Sequence, residues 1–210
     1  MSELREHLRL YLVTDPEMCR ARGVVETVGQ AVAAGVTMVQ LRDKDISTRD
    51  RIALALALKD ALQGTGVPLV INDDVEAATA AEVDGAHIGQ GDMSSVEARA
   101  RLGAGKILGL SCETPEAVVA ADPALVDYLG LGPVFGTATK TDHATPIGLS
   151  GLAELAGLSR LPSVAIGGIK AMHHAQVLAA GADGSAVVSA ICGQPDIAAA
   201  TQAFFPEAQP

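Results

Sequence analysis

Short β-branched or aliphatic runs alternate with longer Ala- and Leu-rich stretches that carry Glu and Arg, and the alternation continues from one end of the chain to the other. This is the strand-helix repeat of a parallel sheet. Eight strands are expected, over residues 9–14, 36–42, 68–72, 85–89, 107–111, 128–132, 163–167 and 184–188. A helix follows each, over 23–34, 47–63, 75–81, 94–102, 115–121, 150–158, 170–180 and 196–205. Ser47, Ser94, Thr114 and Ser150 stand where a side-chain oxygen accepts the first free amides of a helix, and Pro115 suits a first helical position. Gly35 and Gly181 each follow an Ala-rich helix, so VAAGVTMVQ and LAAGADGSAVV read as one helix, glycine, strand device used twice.

Eight pairs either spread into an open doubly wound sheet or close into a (β/α)8 barrel. With 210 residues, no linker and no shift in composition, the chain is expected to form one α/β unit, a TIM barrel spanning residues 1–210. Residues 133–148 form the longest irregular stretch, rich in Gly, Thr and Pro, and a loop of that length in so compact a chain is usually functional.

Composition narrows the function. Hydrophobic residues make up 49% and charged ones 19%, which excludes disorder and supplies a core. The formal charge of −10 repels a phosphate backbone, and aromatics at 2% with no Trp leave no platform for bases, so nucleic acid is not an expected partner. The longest apolar run, Ile52 to Leu58, falls far short of the ~20 residues that span a bilayer and reads as a core helix; no membrane partner is expected. The first residues, MSELREHLRLYLVTD, carry charges throughout and no export signal. Cys19, Cys112 and Cys192 are odd in number and far apart, as reduced thiols of a cytoplasmic protein are. Oligomeric state is not legible, a homodimer through helix faces being the expectation.

In a parallel barrel, chemistry gathers where the strands end. The second strand ends Gln40, Leu41, Arg42, Asp43, Lys44; the third Asn72, Asp73, Asp74; the fourth His87 through Asp92. The fifth ends in Ser111, the sixth leads to Thr137, Ala138, Thr139 and Lys140, the seventh ends Gly167, Gly168 and the eighth Val188, Ser189. Alternation points Arg42 and Lys44 to one side, and Lys140 approaches from the loop. Three cations gathered in so acidic a chain suit a polyphosphate better than ordinary loop salt bridges to Asp43 and Asp45. Asp73 and Asp92 end neighbouring strands, and two carboxylates suit Mg2+, which leaves its other positions to water and substrate phosphate. Taken singly, an Asp at a strand end often caps the next helix, a role that Asp74 suits because Val75 begins one. Gly167, Gly168 and Ser189 suit a phosphate monoester. Two anion sites across one barrel mouth point to a transferase that condenses two phosphorylated substrates. His87 reads as a satisfied core or rim residue, His173 and His174 as surface residues, and Cys112 lacks the paired His of a nucleophile.

The strings QLRDK, IND, GAHIGQGD, GLS, GLGPVFGTATK, AIGG and GADGSAVVSAI, in this order over about residues 10 to 195, resemble the bacterial thiamine phosphate synthase family. The resemblance implies a (β/α)8 barrel that joins hydroxymethylpyrimidine pyrophosphate to a thiazole phosphate, through a pyrimidinylmethyl cation, and releases pyrophosphate with Mg2+. It further implies that Gln40, Leu41, Arg42, Asp43, Lys44, Asn72, Ser111 and Lys140 hold the pyrimidine pyrophosphate, with Arg42, Lys44, Ser111 and Lys140 carrying the chemistry. Asp73 and Asp92 would ligate Mg2+, and Thr137, Ala138, Thr139, Gly168, Val188 and Ser189 would hold the thiazole phosphate. Two departures stand out: Asp74 replaces a basic residue common after the Asn-Asp pair, and residues 141–146 lack the lysine expected after Lys140. Two alternatives stay open, a thiazole tautomerase relative, which needs neither pyrophosphate nor metal, and a non-catalytic sensor of thiazole phosphate or thiamine phosphate. A phosphosugar-type barrel enzyme would need an acid-base pair that Tyr11 and Thr14 do not supply.

Overall fold

The computed structural model describes residues 2–136 and 145–205. Its strands are β1 (Leu10–Val13), β2 (Met38–Leu41), β3 (Leu69–Asn72), β4 (Gly85–Ile88), β5 (Ile107–Cys112), β6 (Tyr128–Leu131), β7 (Ser163–Ala165) and β8 (Gly184–Val187). All pair in parallel, each with its neighbour in sequence, and β8 pairs with β1 to close the barrel. The outer helices are α1 (Ser2–His7), α2 (Pro16–Cys19), α3 (Val24–Ala33), α4 (Thr48–Ala61), α5 (Val75–Ala80), α6 (Ser95–Leu102), α7 (Pro115–Ala120), α8 (Gly148–Leu158), α9 (His174–Ala179) and α10 (Ile197–Gln202).

Period-two alternation divides every strand between two cores. Leu10, Leu12, Val39, Leu41, Leu69 and Ile71 point outward into the layer shared with the helices. Tyr11, Met38, Val70, Tyr128, Val164 and Ala186 point inward and fill the barrel below its mouth. At the amino ends of the strands one device recurs four times. Asp84, Asp127 and Asp183, each just before an even-numbered strand, accept the backbone amides of Leu69, Leu108 and Ser163 on the preceding odd strand, at 2.7 to 2.8 Å. Thr37 does the same for Leu10 at 2.9 Å. These contacts satisfy amides that have no ladder partner and set the stagger of successive strands.

The expected caps at Ser47, Ser94 and Thr114 are present, each accepting an amide three residues on. Ser150 is a correction: α8 begins at Gly148, so Ser150 lies within the helix. The expected helix over 170–180 divides into a 3-10 turn, Ala171–His173, and α9. The stretch Ile52 to Leu58 is helical as expected, yet only Ala55 and Leu58 of it are buried and Leu56 is 45% exposed, so α4 covers the barrel by one edge. His174 is also a correction. It is buried, its Nδ1 lies 2.9 Å from Ser185 Oγ, and its ring packs on Phe204 and Phe205. Among the described residues, no helix is long and apolar enough to cross a membrane.

Asp74, the first departure noted above, ties two loops together. It caps α5 by accepting from the Ala77 amide at 2.9 Å, accepts from Thr48 Oγ1 at 2.9 Å, and pairs with Arg51 of α4. Arg51 also donates to the carbonyls of Asp43 and Ile46 at 2.7 and 3.1 Å, which fixes the loop after β2. Burial raises the Asp74 pKa, but the Ala77, Thr48 and Arg51 partners outweigh it and hold the group below its ordinary 3.8. Its stabilising contribution is therefore full above that value and disappears as pH falls through the lower folded one. Asp74→Ala is expected to cost about 2 kcal/mol in urea unfolding at pH 7, and the gap from the wild type should narrow below pH ~4.

Candidate active site

At the carboxyl ends of the strands lies a cavity of about 420 Å³. Inward alternation brings Gln40, Arg42, Lys44, Asn72 and Ser111 to its wall, joined by Asp73 and Asp92 from the loops after β3 and β4 and by Gly168, Val188 and Ser189 from the far side. Leu41 and Asp43 do not join them. Leu41 is buried in the helix-facing layer, and Asp43 turns back to accept the Asp45 amide through Oδ1 at 3.1 Å. Alternation is the reason, since the residues flanking Arg42 must face away from it. Thr137, Ala138, Thr139 and Lys140 lie outside the described residues.

Arg42 is anchored through its backbone. Its amide donates to Thr14 Oγ1 at 2.9 Å, and the Thr14 hydroxyl donates to the Arg42 carbonyl at 3.2 Å. That clamp joins the ends of β1 and β2, so the guanidinium leaves a fixed root. Lys44, two residues on, acts electrostatically on Asp73. Asp73 occupies a left-handed conformation, φ 61°, a strained position for a residue with a Cβ, and its amide donates to the His87 carbonyl at 2.8 Å. Asp92 is held by the Gly89 amide, which donates to Oδ2 at 2.8 Å.

The two carboxylates meet. Burial, reinforced by the adjacent Asp92, pushes the Asp73 carboxyl up to about 6, against the opposing pull of Asn72 and Lys44. A carboxyl whose ionisation is opposed by burial and by a neighbouring carboxylate gains from a cation placed beside it. Their donors are all hard oxygens, and no third His, Cys or carboxylate joins the group among the described residues. This donor set fits a divalent cation of the Mg2+ kind, which binds through one or two carboxylates.

Beneath the charged rim, polar side chains form a continuous chain across the barrel. Gln40 Nε2 donates to the Tyr11 hydroxyl at 2.7 Å, and the Tyr11 and Tyr128 hydroxyls are 2.8 Å apart. Tyr128 meets His87 Nδ1 at 2.9 Å, and His87 Nε2 meets Ser111 Oγ at 2.9 Å. Register makes this possible: Gly109 stands between His87 and Tyr128, and a Cβ there would come within 2.2 Å of the Tyr128 ring and 2.4 Å of His87 Nδ1. Burial raises the pKa of both tyrosines well above 10, so both remain protonated donors. One direction satisfies every proton in the chain. Tyr11 accepts from Gln40 and donates to Tyr128, Tyr128 donates to Nδ1, and His87 donates from Nε2 to Ser111. The Ser111 hydroxyl, which lines the cavity, then keeps its own proton to donate. Tyr11, Tyr128 and the connecting role of His87 were missed in the sequence, although inward-facing polar rings flanked by outward-facing apolar residues were a usable signal. Cys112 faces outward, its thiol pushed by burial up to about 11, and is no nucleophile.

The closed barrel and the polar cavity at its mouth mark a TIM-barrel enzyme that acts on small molecules. The family model described as thiamine monophosphate synthase matches residues 10–191. Thiamine-phosphate synthase of Psychrobacter sp. (strain PRwf-1) is 53% identical over 192 residues, covering 90% of each chain. That of Xanthobacter autotrophicus is 50% identical over 197 residues, covering 94% of this chain and 93% of the relative. A solved thiamine phosphate pyrophosphorylase from Pyrococcus furiosus superposes with a TM-score of 0.86 at 33% identity, covering 96% of this chain and 95% of the other. The chain belongs to the thiamine monophosphate synthase family and is a transferase.

Tyr128→Phe leaves a buried ring nitrogen and a buried hydroxyl without their partner and is expected to cost about 1–3 kcal/mol in urea unfolding. The Tyr11→Phe, Tyr128→Phe double variant should cost clearly less than the two single changes added together, because the shared partner is removed with its complement. Strict additivity would show that the hydroxyls are not coupled.

Proposed function

We propose that this enzyme joins 4-amino-5-hydroxymethyl-2-methylpyrimidine pyrophosphate to hydroxyethylthiazole phosphate, giving thiamine phosphate and pyrophosphate. The observation that carries this reading is the meeting, in one cavity, of Arg42 and Lys44 with the paired carboxylates Asp73 and Asp92, opposite Gly168 after β7 and Ser189 after β8. A metal pyrophosphate needs both signs of partner, and a second anion needs its own site. Membership of the family and the names of its members support the same reading.

The reaction proceeds by ionisation. The C–O bond to pyrophosphate breaks with its electron pair leaving on oxygen, and the thiazole nitrogen captures the resulting pyrimidinylmethyl cation. No general base is required. Arg42, Lys44 and Lys140 bind the departing pyrophosphate. Gln40, Asn72 and Ser111 orient the pyrimidine. Thr137, Ala138, Thr139, Gly168, Val188 and Ser189 hold the thiazole phosphate. Asp73 and Asp92 would hold Mg2+, which when bound neutralises charge on the leaving group. Fixed cations in a shielded cavity stabilise that charge without reorganising at the moment of reaction. The chain acts in this reading as one barrel domain, in the cytoplasm, with two phosphorylated small molecules as its partners and a homodimer as its assembly.

Incubation with both substrates should yield thiamine phosphate and pyrophosphate in equal amounts with Mg2+ and neither with EDTA. Binding of thiazole phosphate without product would instead favour the tautomerase or sensor. Lys140→Ala should lower kcat by about 10² or more with little change in thiazole phosphate affinity. An unchanged kcat with a raised KM would assign Lys140 to ground-state binding alone.

A further inference from the structure

The described residues assigned above to the thiazole phosphate are all neutral: backbone at Gly168 and Val188 and the Ser189 hydroxyl. A phosphate monoester brings a charge of about −1.5 to −2 into a chain whose own charge is −10. Arg42 and Lys44 leave from the end of β2, with β1 intervening between that strand and β8. Neither leaves from the β7 and β8 side of the mouth, where a cation would complement the phosphate.

Lys170 stands there. Its Nζ donates to Ser189 Oγ at 2.8 Å, linking the loop after β7 to the loop after β8. The root of the side chain is fixed, because the Lys170 amide donates to His173 Nδ1 at 3.2 Å and the His173 ring lies 4.2 Å from that of Phe135. Between Lys170 and the cavity, the backbone turns through Gly167 at φ 88° and Gly168 at φ 65°. A Cβ on Gly168 would come within 2.5 Å of the Gly136 carbonyl oxygen, so only glycine allows the loop to close here. The closed turn sets the ammonium beside Ser189, which lines the cavity.

We propose that Lys170 is a ligand of the thiazole phosphate and supplies the cation of that subsite. An ammonium carries three donors and Ser189 takes one, leaving two for phosphate oxygens. By donating to Ser189 Oγ, Lys170 also leaves the serine's own proton free to point at the same phosphate. The sequence reading passed over Lys170 because it lies beyond the glycine pair, at the start of the next helical segment.

This inference rests on the functional reading above, and titration separates the two. Thiazole phosphate and the unphosphorylated thiazole alcohol are titrated calorimetrically into the wild type, Lys170→Gln and Lys170→Arg, and steady-state constants are measured for the same proteins. Lys170→Gln, which keeps a hydrogen-bond donor and loses the charge, should raise Kd and KM for thiazole phosphate about tenfold. Lys170→Arg should stay within about twofold of the wild type, as should kcat and the KM for pyrimidine pyrophosphate in both variants. Affinity for the alcohol should not change. An unchanged Kd in Lys170→Gln, or equal losses for phosphate and alcohol, would overturn the proposal. A wild type that makes no thiamine phosphate would overturn the functional reading, while the titrations would still report on Lys170.

Discussion

Closure of eight short parallel strands imposes the arrangement on which everything else depends. Once β8 pairs with β1, each strand has one face against the helices and one in the barrel, and every carboxyl end opens on the same rim. Strands of three to six residues leave little room for error in stagger. The amino ends supply the correction, where Asp84, Asp127, Asp183 and Thr37 take up the amides of the preceding strands. Structural polar groups thus occupy one end of the barrel, and the opposite end is left for residues selected by chemistry.

Between the two ends lies the polar chain of Gln40, Tyr11, Tyr128, His87 and Ser111. A barrel interior filled by aliphatic side chains alone would need no such partners. Here two buried phenols and an imidazole satisfy one another, and in a low-dielectric interior such a network is rigid because any break leaves a group unpaired. It forms a polar floor whose two outermost members, Gln40 and Ser111, open into the cavity. The rim above has the opposite character. Arg42, Lys44, Asp73 and Asp92 are crowded charges on strand ends, with strain held at Asp73 and its carboxyl raised by burial and by the adjacent Asp92. A mouth of this kind is poised for charged ligands, its repulsions relieved when ions of the right sign enter.

Much of this was legible along the chain. Eight strand-helix pairs, their order, most of the caps and the clustering of polar residues at strand ends follow from local rules, because period-two and helical patterns need only near neighbours. Asp74 was readable as a cap, since Val75 begins the helix it precedes, but its pairing with Arg51 was not, for the two lie on different helices brought together by the barrel. His174 was misjudged for the same reason: a histidine beside another at a helix start has nothing local to mark it as packed against Phe204 and Phe205.

The sequence by itself determined the alternation, and with it the fold class and the set of residues that can reach the mouth. The tertiary structure alone decided which of them meet. Tyr11 and Tyr128, 117 positions apart, share a hydrogen bond. Barrel register and the missing side chain at Gly109 create that contact. The physical reason is that local pattern fixes the direction of a side chain relative to its own strand, whereas distance between strands is set only by closure.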